Sequence, residues 1–242
     1  RLLQNGFPVS PMFGLPLFDT GLVCRLDWLH AADLGVSADW VGQLFVSLLP
    51  KMLGGNLNER IRDLWSHIQE GYRRHPWDSK LDKLTPGMRS MNANAPKLKA
   101  HASEVRGLIP IALDLAEAHL DDADPLGNTA KQCMRELAAC YANLSAGSSA
   151  ADLANHSRRF ATLYTTLEGR APEWWVRPKL HMFQELCEMD GTRPANHWTY
   201  REEDVGGSLV GLARSRGGRR APGTAGRQVL LKFIARHKVP RL

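Results

Sequence analysis

The sequence predicts a mainly α-helical protein, a helical bundle of the kind inserted into a larger fold. A short extended segment precedes the bundle and a basic, Gly-rich tail follows it. Three observations predict this. Apolar residues recur at three- and four-residue steps in five stretches between Ser37 and Arg170. Capping residues and Pro or Gly breaks stand at the ends of those stretches. Charge is also uneven: nine of the 31 Lys and Arg lie between Val205 and Leu242, where there is no Asp or Glu. That leaves 22 basic against 25 acidic residues in the first 204.

Taken in order, residues 1–35 read as an extended lead-in, rich in Pro and Gly, with Leu22-Val23-Cys24 as a short strand candidate. Residues 36–190 read as the bundle. Ser37 is placed to cap a helix with Val41, Leu44, Phe45 and Leu48 on one face, ended by Pro50 and Gly54-Gly55. Asn58 is expected to cap the next, lined by Ile61, Leu64, Trp65 and Ile68. A proline-bearing loop over 74–96 leads to a long helix through Leu98, Ala102, Val105, Ile109, Ala112 and Ala116, with Pro110 expected to kink it. Asp121 to Pro125 closes that helix. Asn128 opens another, with Ala130, Met134, Leu137, Tyr141 and Leu144 in a stripe that also aligns Cys133 with Cys140. Ser149 with Asp152 makes a capping-box-like start for a helix carrying Leu153, Phe160, Leu163, Tyr164 and Leu167. Pro178 marks one more helix start. Residues 191–242 hold a terminal helix near Glu203 and then the basic tail.

The remaining composition excludes more than it assigns. With 43% hydrophobic and 23% charged residues the chain is ordinary globular material. There is no apolar run of about 18 residues, so no membrane partner is expected. The chain opens on Arg1 without a signal-peptide pattern. Four cysteines without a C-x-x-C pair argue against a zinc knuckle and for a reducing, intracellular compartment. No P-loop, no G-x-G-x-x-G element and no internal repeat is present, and nothing in the pattern sets an oligomeric state.

The densest chemistry sits in Leu26-Asp27-Trp28-Leu29-His30-Ala31-Ala32-Asp33-Leu34-Gly35. Asp27 and His30, three apart, share a face on a starting helical turn. A carboxylate and an imidazole so placed suit metal binding or proton transfer. They equally suit a plain structural role, an aspartate bonding backbone amides at a helix start with a half-buried histidine behind it.

Asp27-x-x-His30 with Leu34-Gly35 resembles the D-x-x-H…L-G element of CACTA-type and Kyakuja-Dileera-Zisupton-type DDE transposases. Lys99-Ala100-x-x-x-Glu104-x-Arg106 is similar to their K-A-x-E-x-R segment, with one extra residue. Pro178-Lys179-x-His181 resembles their P-K-x-H stretch. Trp198 with Glu203-Asp204-Val205-Gly206-Gly207-Ser208-Leu209 resembles their closing W…E-R-x-N-G-x-L, although Asp204 and Gly206 depart from it.

The resemblance implies the C-terminal part of such an enzyme, degenerate or truncated: a helical insert plus the final catalytic helix of a ribonuclease-H-like core. It implies Glu203, Asp27 and His30 as catalytic residues, and Glu203 with Asp27 as ligands to Mg²⁺ or Mn²⁺ where activity survives. The strands bearing two further aspartates would precede Arg1. Asp33 and Glu202 are further oxygen donors should the fold bring them beside Glu203. It also implies that Asp27 or His30 lies within about 10 Å of Trp198–Leu209, in contact across one packed layer.

DNA, or RNA, is the expected partner, contacted by Arg214, Arg216, Arg219, Arg220 and Arg227 in the tail and by Lys179, with a nuclear location. Trp174, Trp175 and Trp198 read as core or lid aromatics in preference to base-stacking platforms. Two other functions fit the same residues: a non-enzymatic helical module binding nucleic acid or protein through the tail, and a metal-dependent phosphodiester hydrolase.

Overall fold

The computed structural model of the chain describes residues 26–86, 96–144 and 149–188, with Pro194 and Thr199. The chain divides into two units, residues 1–197 and 198–242, and every element described here belongs to the first. Among the described residues every regular element is a helix, and none is a strand.

The helices start earlier than the apolar pattern suggests. A π-helix spans Leu29–Ser37 and leads without a break into α1, Ala38–Leu48. The residues from Trp28 onward, expected as part of an extended lead-in, are therefore helical. The cause is Asp27, whose carboxylate accepts from the backbone N–H of Leu29 (3.2 Å) and of His30 (3.0 Å) and so nucleates the turn. Ser37 caps nothing; its hydroxyl pairs instead with the Tyr141 hydroxyl at 2.7 Å.

A short 3₁₀ turn at Leu49–Lys51 carries Pro50, and α2 follows over Leu57–Arg74. Its cap is Asn56 in place of Asn58, accepting from the Glu59 N–H at 3.0 Å. The helix α3 covers Ala102–His119, with Pro110 inside it, and Glu104 reaches back to the His101 N–H. Leu98, expected on that helix, precedes it and donates its N–H to the Ala38 carbonyl at 2.9 Å. The next helix, α4, is Pro125–Ala142, begun by Asp124 with proline in the first turn and not by Asn128. Ser149 caps α5, Ala150–Leu167, as the spacing predicts, and α6 is Lys179–Glu188, just after Pro178.

The π-helix touches α1, α3 and α6, while α4 packs against α3 and α5, and α5 against α6. Glycine allows two close approaches in this assembly. A Cβ on Gly42 would stand 2.5 Å from the Leu98 nitrogen, so glycine lets the 97–98 backbone lie on α1. A Cβ on Gly35 would meet the His30 carbonyl oxygen and the Lys179 Cδ at 2.9 Å each. Gly35 is also where the π-helix leaves helical geometry (φ −99°, ψ −111°).

The core centres on Trp40, which is fully buried. It stacks on Trp174 (4.8 Å between centroids) and meets Tyr164 and Phe160 edge-on at 4.9 and 5.7 Å. Its indole N–H points at the Met134 sulfur, 3.2 Å away. Cys133 and Cys140 are both buried on α4, as small apolar groups on one face would be. No helix among the described residues is long and apolar enough to cross a membrane. The Leu22–Cys24 strand candidate and the terminal helix near Glu203 lie outside the described residues.

Candidate functional site

Asp27 carries the plain structural role weighed for it and one more. Besides capping the helix, its Oδ2 holds the Nδ1 of the His30 ring. The Asp27 side chain is only 12% exposed, whereas His30 is 54% exposed and not half-buried. The result is an imidazole oriented by a carboxylate on one side and facing solvent, the usual arrangement for a general base. Both Asp27 oxygens already bond to the first turn.

Two buried charge clusters lie behind this pair. In the first, Asp33 is fully buried. It accepts from the Tyr141 hydroxyl at 2.6 Å and meets the Arg106 Nε at 3.7 Å. Burial pushes its carboxyl up to about 7, against the opposing pull of Arg106, the Tyr141 hydroxyl and the Trp28 indole. The Arg106 guanidinium also sits over the Tyr141 ring, 5.8 Å from its centroid. Tyr141 is raised well above the usual phenol range by the same burial and by Asp33, so it stays protonated and donates. Asp33 is thus committed to Tyr141 and Arg106 and is not an available metal ligand.

In the second cluster, Asp39 opens α1 and is buried, with Lys97 Nζ and Arg177 Nε each 3.5 Å from its Oδ1. Burial raises its carboxyl above the usual range, with Lys97 and Arg177 pulling it back. Both lysines of this neighbourhood also bind the π-helix backbone. Lys97 donates to the Leu34 carbonyl at 2.6 Å and Lys179 to the His30 carbonyl at 3.0 Å. A π-helix leaves carbonyls outside the regular α-helical ladder, and ammonium groups suit them. Burial, then the neighbouring Lys97, lowers the Lys179 ammonium from its ordinary value.

Several residues singled out in the sequence therefore come together. Asp27, His30, Asp33 and Gly35 lie on or beside one π-helix, and Arg106 and Lys179 reach it from 73 and 149 residues away. Others do not join them. Glu104 closes the start of α3, and His181 is 84% exposed on α6. Glu202, Glu203, Trp198, Arg214, Arg216, Arg219, Arg220 and Arg227 lie outside the described residues, as does the expected approach of Asp27 to Trp198–Leu209.

Sequence reasoning missed Asp39, Lys97 and Arg177. An acid inside the apolar run Ala38-Asp39-Trp40-Val41 was the available signal for a buried charge. Among the described residues no group of three or more His, Cys, Asp and Glu side chains is arranged to hold a metal ion. Those residues by themselves do not fit the pair of divalent ions that the resemblance implies. Comparison with protein-family models, with curated proteins and with solved structures finds no match.

Proposed function

We propose that the chain is a helical, nucleic-acid-binding part of a DDE-type transposase-like protein, a degenerate or truncated remnant that does not cut DNA by itself. The observation that supports this most is the convergence on the π-helix. From far along the chain, Arg106 of the second motif pairs with Asp33 inside the stretch that carries the D-x-x-H…L-G element, and Lys179 of the third reaches the His30 carbonyl and Gly35. A chance set of short motifs has no reason to interlock in this way. The Lys97 and Lys179 ammonium groups and the arginines of the tail give such a module its cationic contacts with phosphate. A nuclear location belongs to the same reading.

The absence of cutting follows from where the acids are held. Asp27 bonds the first helical turn, Asp33 is closed in by Tyr141 and Arg106, and Asp39 by Lys97 and Arg177. None of the three presents an open carboxylate for a pair of divalent ions.

Incubating the whole chain with supercoiled plasmid and Mg²⁺ or Mn²⁺ tests both halves of the reading. The expected outcome is retarded plasmid at low salt with no nicked product. Nicking that disappears in Glu203→Gln or His30→Ala would replace this reading by the metal-dependent hydrolase. A plasmid neither retarded nor nicked would leave a helical module for a protein partner.

A further inference from the structure

Trp174 and Trp175 are adjacent and have opposite fates. Trp174 is buried and stacks on Trp40, as a core aromatic does. Trp175 is 49% exposed. Its backbone nevertheless is among the most firmly held in the loop between α5 and α6. The Trp175 N–H donates to the Gln43 Oε1 at 3.1 Å, and its carbonyl accepts from the Gln43 Nε2 and from the Tyr164 hydroxyl, each at 2.9 Å. Gln43 is fully buried and Tyr164 nearly so. A large apolar ring is thus presented to water on a backbone anchored in the core, an arrangement that costs burial without gaining flexibility.

Its surroundings indicate what covers it. Arg177 follows two residues on, within about 7 Å of chain, and Lys179 two residues beyond that. Both reach the Asp39 neighbourhood, where Lys97 is the third cation and Asp39 the buried acid. Among the described residues the Lys179 ammonium has no carboxylate within ion-pair distance; it bonds the His30 carbonyl and feels Asp39 from farther off. Two acids lie on the same loop, Glu168, which accepts the Val176 N–H at 3.2 Å, and Glu173, two residues before Trp175. An exposed indole on a core-anchored backbone, in a segment that also carries arginine and lysine, is the pairing that single-stranded nucleic acid uses, with bases stacking on the ring and phosphates on the cations.

We infer that Trp175, with Lys97, Arg177 and Lys179, forms a platform for single-stranded nucleic acid. This rests on the nucleic-acid reading above and adds to it a residue and a strand preference. It reverses the sequence expectation for Trp175 and keeps it for Trp174. Duplex DNA hides its base faces, so the indole contributes to single strands alone.

The test uses the whole chain, a fluorescently labelled oligothymidine and a duplex of matched length, read by anisotropy. Trp175→Leu is expected to weaken oligothymidine binding about tenfold and to leave duplex binding within about twofold. Trp175→Phe, which keeps an aromatic face, is expected to stay within about threefold of the unaltered chain. Lys179→Gln weakens both ligands, which checks the phosphate side without touching the indole. Oligothymidine binding by Trp175→Leu equal to that of the unaltered chain overturns the inference, as does a Phe variant no better than Leu. In either case duplex binding by the unaltered chain leaves the broader reading standing. An unaltered chain that binds neither ligand overturns both.

Discussion

Replacing Arg106 by methionine lowers the unfolding free energy by about 2 kcal/mol near pH 8 and by only about 1 kcal/mol near pH 5. The asymmetry comes from Asp33. Its carboxyl stands at about 7 in the folded chain against an ordinary value of 3.8. Between those two values the folded chain holds a proton that the unfolded chain has released. Stability contributed by this group is therefore complete below about pH 4 and is lost as the pH rises through about 7. The full loss is on the order of 4 kcal/mol for a shift of this size.

Arg106 limits that loss by attracting the ionised form. Removing the guanidinium moves the carboxyl higher still, so the loss that levels off near pH 7 beside Arg106 continues toward pH 8 by about 1.4 kcal/mol per pH unit. On the acid side Asp33 is already neutral, and methionine fills much the same space. Urea denaturation of both chains near pH 5 and pH 8 checks this. Equal deficits at the two pH values would mean that Arg106 acts through packing on the Tyr141 ring and not through Asp33.

Trp40→Ala is expected to cost about 4 kcal/mol, the range for emptying a buried aromatic site. The ring touches Phe160, Tyr164 and Trp174, so its loss removes the common partner of α1, α5 and the loop before α6. The effect reaches the proposed platform as well. With Trp174 unstacked, the adjacent Trp175 backbone loses its rigid seat, and oligothymidine binding should fall along with the midpoint of thermal unfolding. Trp40→Phe, which retains part of the stack, is expected to lose about half as much stability. A Trp40→Ala chain as stable as the original would contradict the placement of the core.

The helical class and most helix positions were legible because apolar periodicity depends on local spacing alone. Val41, Leu44, Phe45 and Leu48 all lie buried or nearly so on α1, and Ser149 caps α5 where the spacing placed it. The starts were less legible where two capping residues compete. Asn56 outcompetes Asn58, and Asp124 followed by proline outcompetes Asn128, because only one of each pair precedes a turn it can close.

The π-helix was not legible. The sequence suggests at most a starting helical turn at Asp27 within an extended lead-in over 1–35, with a helix only after Ser37, yet Gly35 is what lets Lys179 and the His30 carbonyl approach. The charge clusters were hidden for a related reason. Asp33 and Arg106, or Asp39 and Arg177, are paired by tertiary contact, and nothing in their local sequence predicts the partner. Trp175 illustrates the limit most clearly, since two adjacent tryptophans cannot be told apart until a backbone turns one inward.

The measurement that most directly tests nucleic-acid binding by this chain is its affinity for duplex DNA across a range of NaCl concentrations. The logarithm of the binding constant should fall linearly with the logarithm of salt, by about 0.9 for each phosphate contacted. Changing Arg214, Arg216, Arg219, Arg220 and Arg227 together to glutamine should flatten that slope by up to about 4.5, and Lys179→Gln by about 1. A chain that does not bind duplex at low salt, or that binds with a slope these changes leave untouched, would contradict the account.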